Sequence, residues 1–447
     1  MGSARNGYRD RLIVAVDVGS SVLRCHLYNQ AGQICGSAED KLKVLYPQTG
    51  YVEIDPESLW DQFVGIVKEA IKDAGIQMSQ VAGLGISTQR ATFITWNKTT
   101  GEPFHNFISW QDLRAADLVS SWNSSVLLKA VHGVCTALHF FTRRKRFLAA
   151  SLINFTTQHV SLRLVWVLQN IPQVPKSGFF GFTFLLQMCW SSFLCSLLSI
   201  PMSIFPSVED TSHNFGLADP IIFGAAVPIR ALVADQQAAM FGQCCFDVGN
   251  VKLTMGTGSF ISINTGERLH TSIAGLYPLI GWKIGKEVVC LAEGNASDTG
   301  TAIKWAEELN LFTSVADTEA MARSVPDCGG IYFVPSFSGL QAPVNDPYAC
   351  ASFMGLKPST SKNHLVRAIL ESVAYRNKQL YDTVLRETTI PITLIRADGG
   401  VSNNNFIMQM TADLLGQTID KPKHTDMSSL GAAFLAGLAV YGQLKTS

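Results

Sequence analysis

RLIVAVDVGSSVLR, the stretch from Arg11 to Arg24, decides how the rest of the chain is read. Leu12 to Val16 is a short apolar run with β-branched residues, which suits a buried strand. It ends at an acid, Asp17, followed by Gly19, Ser20 and Ser21. Leu23, Cys25 and Leu27 then alternate with polar residues, and Gln30-Ala31-Gly32 can turn the chain back. Strand, acid, Gly-Ser turn and antiparallel strand are one way to hold a polyphosphate. Small residues let backbone N–H groups reach phosphate oxygens, hydroxyls add donors, and the acid holds a hydrated magnesium. The same pattern also makes an ordinary hairpin, so the reading depends on matching parts downstream.

Working outward, 447 residues with 47% apolar and 16% charged side chains allow two globular domains with large cores. Zero formal net charge and a pI near 7.1 argue against a general nucleic-acid or anionic-membrane footprint. The one basic run, Arg143-Arg144-Lys145-Arg146, reads as a solvated helix face or a targeting patch. The ten cysteines show no metal-ligand spacing, which fits reduced thiols. No apolar leader opens the sequence, and Asn6 breaks the myristoylation pattern, so a cytoplasmic location is expected. Ser177 to Val208 carries no charge, and Phe179 to Leu198 is long enough to span a bilayer. Gln187, several serines, Pro201, Pro206 and the lack of a basic flank argue against a span.

The periodicity predicts strands at Leu12–Val16, Leu23–Tyr28, Val81–Ser87, Val251–Thr254, Ile331–Pro335 and Ile392–Ala397. It predicts helices from Pro56 to about Ala74, capped by Asp55, from about Asn363 to Glu387, and over Ser429–Tyr441. This is an α/β pattern with two lobes, 10–244 and 245–447.

Four further motifs sit at strand ends. Met255-Gly256-Thr257-Gly258-Ser259 reads as a second phosphate turn, and two such turns, one in each half of the chain, mark a protein that grips phosphates from two sides. Asp398-Gly399-Gly400, followed by Asn403-Asn404-Asn405, lets a base or ribose lie against backbone. Asp235, in Ala234-Asp235-Gln236-Gln237, can accept a proton from a substrate hydroxyl. Arg90 can hold a polyol through its fork of donors, and Trp110 can pack on the carbon chain. Each motif alone also reads as a plain turn, a strand-end polar group or an interface aromatic. There is no P-loop and no protein-kinase catalytic loop.

Taken together, these motifs resemble the FGGY carbohydrate kinases, and among them the glycerol kinases. The markers run in order: Asp17-Val18-Gly19-Ser20-Ser21, Tyr51-Val52-Glu53-Ile54-Asp55-Pro56, Gly85-Ile86-Ser87-Thr88-Gln89-Arg90, Ala234-Asp235-Gln236-Gln237, Met255-Gly256-Thr257-Gly258, Phe337-Ser338-Gly339-Leu340-Gln341-Ala342-Pro343 and Asp398-Gly399-Gly400. The resemblance implies a two-lobed, actin-like ATPase fold with ribonuclease H-like cores. It implies ATP-dependent phosphorylation of glycerol to sn-glycerol 3-phosphate, with ATP and Mg2+ as cofactors and a small polyol as partner. By position, Ser20, Ser21 and Thr257 would meet ATP phosphates, and Gly300, Gly400 and Asn404 would frame the adenosine. Asp17 would hold magnesium through water. Arg90, Trp110, Asp235 and Gln236 would bind glycerol, with Asp235 as base. No nucleic-acid partner is implied, and a homo-oligomer is left open.

The chain departs from the family pattern in three places. Ala91 stands where glycerol kinases carry a glycerol-binding glutamate, and Gln158 aligns with a tyrosine that closes the site. Pro175 to Gln187 replaces a stretch of some tens of residues, so the first lobe is expected to be shortened there, with a helix beginning near Met188. The family also continues through further C-terminal helices beyond the position of Ser447, and Val344-Asn345 replace an aromatic pair. Alternatives are therefore a kinase for another small polyol or sugar, a catalytically weak nucleotide-binding regulator, and a membrane-anchored form.

Overall fold

Leu12–Val18 and Val22–Tyr28 pair antiparallel around Gly19-Ser20-Ser21 in the computed structural model, with Asp17 opposite Arg24. A Cβ at Gly19 would stand 2.8 Å from the carbonyl oxygen of Val22, so this turn closes only on glycine. The structure describes residues 12–152, 154–174, 178–181, 190–346 and 348–442. It divides into two units. The first runs to Ala238 and takes in Trp282–Glu287 and everything from Ser428; the second comprises Ala239–Gly281 and Val288–Met427.

The first unit is built on a five-stranded sheet in the order Ile229–Ala234, Val81–Thr88, Leu12–Val18, Val22–Tyr28, Ile34–Lys41. The first three strands are parallel and the last three antiparallel. The central strand is buried along nearly its whole length, which explains its continuous apolar reading. The helix Pro56–Asp73 starts where Asp55 accepts a hydrogen bond from the Ser58 amide at 2.7 Å. It packs so close to the strand Ile34–Lys41 that a Cβ on Gly36 would meet the Ala70 carbonyl at 2.5 Å. The helix Met427–Gly442 approaches the strand Val81–Thr88 as closely: a Cβ on Gly85 would lie 2.3 Å from the Ala432 carbonyl. Its small residues, read from sequence as part of the second lobe, serve the first. His26 and Tyr28 meet the Ser429 hydroxyl at 2.9 and 3.3 Å.

The second unit repeats the scheme. Its sheet runs Tyr277–Ile284, Glu287–Ala296, Ser259–Gly266, Asn250–Met255, Leu394–Asp398, again with an antiparallel hairpin flanked by a parallel strand. The helix Lys362–Thr388 buries Val366, Ile369, Leu370, Val373, Leu380 and Val384, the face expected from its periodicity.

Most of the apolar run at 182–189, including the expected helix start near Met188, lies outside the described residues. On either side, Gly178–Gly181 pairs with Ile94–Asn97 and a six-residue helix spans Ser192–Leu197. Among the described residues no single helix is long and apolar enough to cross a membrane. Leu162, Leu164, Val165, Val167 and Val174 share one apolar cluster with Cys195, Leu198, Ile200 and Ile204. Residues on either side of 175–189 thus share one core.

Candidate functional site

In the first unit the candidate residues gather where the parallel strands end. Asp17 is the register partner of Ser87 on the neighbouring strand, and its carboxylate accepts the Ser87 hydroxyl at 2.7 Å. Ser20 is half-buried and Ser21 exposed in the turn that follows. One strand over, Arg90 Nε lies 3.7 Å from the Asp235 carboxylate. Asp235 opens the helix Asp235–Gly242, where its own side chain accepts the Gln236 amide at 2.7 Å. A carboxylate suits the positive end of a helix. Its backbone carbonyl is held by the Ser428 hydroxyl at 3.2 Å, so the C-terminal helix steadies it. Gln236 is buried beside it.

Hydrogen bonds join the Gly19 turn to the Arg90 and Trp110 segments. The Gln89 amide nitrogen donates to the Gly19 carbonyl at 3.1 Å, and its oxygen accepts the Thr92 hydroxyl at 3.0 Å. The Trp110 backbone N–H donates to that same hydroxyl at 3.1 Å. This brings Trp110 onto the Arg90 loop.

Arg163, which the motif reading passed over, lies beneath that loop and is fully buried. Its guanidinium donates to the carbonyls of Ser109, Ala91 (2.7 Å) and Gln158 (3.1 Å). Those residues are the neighbour of Trp110 and the two positions, Ala91 and Gln158, at which a change in the polyol contacts was expected. Burial is the largest influence on this guanidinium and pulls its pKa down to about 10, so it stays charged at neutral pH. Ala91 sits at φ 60°, a left-handed backbone costing an alanine about 1 kcal/mol, and Arg163 fixes its carbonyl. A lone arginine in the apolar helix Val160–Asn170 was the available signal.

A second arginine with a buried side chain, Arg114, follows Trp110 by four residues. Arg114 binds Asp112 (2.8 Å) and Glu53 (2.6 Å), and its guanidinium stacks over Tyr51 at 4.3 Å. Glu53 comes from a motif string, but its pairing with Arg114 does not show in the sequence.

In the second unit Thr257, Gly300 and Gly400 fall together. The Thr257 carbonyl accepts the Thr299 and Thr301 amides at 3.1 and 3.2 Å, and Gly300 N–H donates to the Gly256 carbonyl at 3.0 Å. A Cβ on Gly300 would stand 2.5 Å from that carbonyl, and one on Gly399 would stand 2.4 Å from the Met255 carbonyl. Glycine is required at both. Gly256 and Gly400 differ: no protein atom lies within 4 Å of where their Cβ would be. Their smallness leaves open space beside the backbone, as close approach of a nucleotide requires. Asn404 caps the helix Asn405–Leu415, accepting the Phe406 and Ile407 amides, and its NH2 group donates to Thr318. Its side chain is thus spent on the fold.

Below this turn Asp398 accepts the Thr254 hydroxyl and the Gln243 amide, and buried Lys252 donates to Thr254 at 2.7 Å. Burial raises the Asp398 pKa, against Lys252, Thr254 and Gln243, which favour its ionised form. Thr254 and Asp398 are register partners. The pair mirrors Asp17 and Ser87 with the roles exchanged: the acid moves from the hairpin strand to its parallel neighbour.

Residues 12–242 match the N-terminal domain of the FGGY family of carbohydrate kinases, and residues 251–440 its C-terminal domain. The chain is 85% identical to glycerol kinase 5 of Xenopus laevis, with 100% of each chain covered, and 62% identical to glycerol kinase 5 of Homo sapiens, over 96% of this chain and 87% of that one. The frog alignment runs over 479 positions against 447 residues here, so at least 32 positions of that relative have no counterpart in this chain. The fold is similar to the crystal structure of Plasmodium falciparum glycerol kinase with ADP, at a TM-score of 0.82 and 26% identity, covering 96% of this chain and 90% of that one.

Proposed function

The chain belongs to the FGGY family of carbohydrate kinases and is a phosphotransferase with an alcohol acceptor; we propose that the acceptor is glycerol and the product sn-glycerol 3-phosphate, with ATP as donor. The observation that carries this reading is the Arg90–Asp235 pair at the ends of adjacent strands, 3.7 Å apart. In the proposed reaction Arg90 and Gln236 bind glycerol hydroxyls and Trp110 packs on the carbon chain. Asp235 accepts the proton of the attacking hydroxyl as that oxygen moves in line onto the γ-phosphorus. The Ser20, Ser21 and Thr257 turns donate to ATP phosphates, and the space beside Gly400, near Gly300, receives the adenosine. Such a reaction asks the protein mainly for alignment and charge neutralisation.

Magnesium, when bound with the nucleotide, neutralises charge on the phosphates. Asp17 suits it: one carboxylate at the phosphate turn, steadied by Ser87. Among the described residues no group of three or more Asp, Glu, His or Cys side chains is placed to hold a metal ion. That donor set fits an ion that keeps its waters and takes one carboxylate plus phosphates. A cytosolic location accompanies the proposal.

Ala91 favours a second reading, another small polyol or sugar, because it offers no carboxylate beside Arg90. Comparing kcat/KM for glycerol, erythritol and xylulose separates the two. Glycerol preferred by tenfold or more supports the first; a tetritol or pentulose preferred by that factor replaces it.

A further inference from the structure

We propose that the helix Val126–Thr142 and the basic run after it form a peripheral docking surface for an anionic phospholipid membrane. The helix has 17 residues, and Leu128 alone is buried among them. Leu127, Ala130, Val134, Leu138 and Phe141 recur at intervals of three or four, so they share one face. That face is open to solvent, with Val134 61% and Phe141 81% exposed. An apolar stripe of this length facing water marks an interaction surface.

Charge identifies the occupant. Between Asp117 and Glu209 the chain has no Asp or Glu, but it has seven Lys and Arg: Lys129, Arg143, Arg144, Lys145, Arg146, Arg163 and Lys176. The chain as a whole is neutral, with 35 acids and 35 bases, so the remainder carries seven more acids than bases. Arg143 to Arg146 are all exposed. The Arg143 guanidinium lies over the Phe140 ring at 5.4 Å and that of Arg146 over Phe147 at 4.8 Å, which puts cations and aromatic rings at one end of the apolar stripe. Apolar side chains beside exposed cations, with no acid to fix a register, suit fluid headgroups and acyl chains. The helix lies along the surface rather than across it. Its other face packs inward at Leu128, Lys129 is exposed, and the preceding helix Ala116–Ser124 meets it at a 51° bend.

The test is flotation of the full chain with vesicles of phosphatidylcholine alone and of phosphatidylcholine with phosphatidylserine. The expected result is binding at least about tenfold stronger to the phosphatidylserine vesicles, weakened by added salt. Arg143→Glu with Lys145→Glu should abolish that preference. Val134→Ser with Phe141→Ser should lower binding at least about tenfold with the basic run intact. Both variants alter exposed side chains, and an unchanged melting midpoint verifies their folding. Equal binding to both vesicle types, or full binding by either variant, would overturn the proposal. So would concentration-dependent self-association without vesicles that Phe141→Ser removes, since a second copy would then cover the face.

Discussion

Arg163 spends its guanidinium on three backbone carbonyls, two of which, Ala91 and Ser109, adjoin the candidate substrate contacts Arg90 and Trp110. Replacing it with methionine keeps the bulk and strands those carbonyls. The expected cost is about 3 kcal/mol of stability, with KM for the acceptor rising more than kcat falls. Lysine, a point charge without the fork, should recover part of the stability and little of the KM. Chemical denaturation alongside steady-state kinetics checks both. Beside Gln158, His159 accepts the Thr156 amide at 3.2 Å through Nδ1, which requires the neutral ring. Burial, and then the Arg163 charge, lower its pKa from 6.5 to about 4. The unfolded chain therefore binds the extra proton first as pH falls, so stability is complete above about 6.5 and declines toward about 4. Denaturation midpoints across that window should show a loss of up to about 3 kcal/mol that His159→Gln removes.

At the scale of elements, the two hairpins explain how one local pattern can be used twice. A tight turn follows a buried strand, and the parallel neighbour supplies the partner of the acid or hydroxyl at the strand end. The glycines of the second unit separate fold from ligand. Gly300→Ala drives a methyl group into the Gly256 carbonyl and should destabilise the turn. Gly400→Ala meets no protein atom and should leave the melting temperature within about a degree, yet weaken ATP binding tenfold or more. Calorimetric titration with ATP checks the pair; unchanged ATP affinity in Gly400→Ala would remove Gly400 from the nucleotide site. The hairpins were legible because strand runs, acids and glycines lie within about a dozen residues of one another. The Arg163 clamp was not, since its partners at Ser109 and Ala91 lie 54 and 72 residues away in sequence. The Thr254–Asp398 bond spans 144 residues and was equally hidden.

For the whole molecule, the assignment of the last helix shows the limit of reading along a chain. Ser428 onward follows the second unit in sequence but groups with the first, through contacts such as His26 with Ser429, 403 residues apart. A shortening at Pro175 to Gln187 was an expectation from the family pattern. That residues on either side of 175–189 share one core, Val174 with Cys195, came from packing. Restoring the frog relative's additional positions should raise the melting midpoint by ~2–4 °C, about 1 kcal/mol, without changing which residue is required for turnover. Differential scanning calorimetry measures it. The most direct test of the catalytic account is glycerol-dependent ADP release from Mg-ATP by this chain and by Asp235→Asn, with ATP affinity measured on both. The account predicts glycerol-dependent turnover that falls by about 100- to 10,000-fold in the variant while ATP affinity stays within about twofold. Turnover that survives in Asp235→Asn, or ADP release indifferent to glycerol, would contradict it.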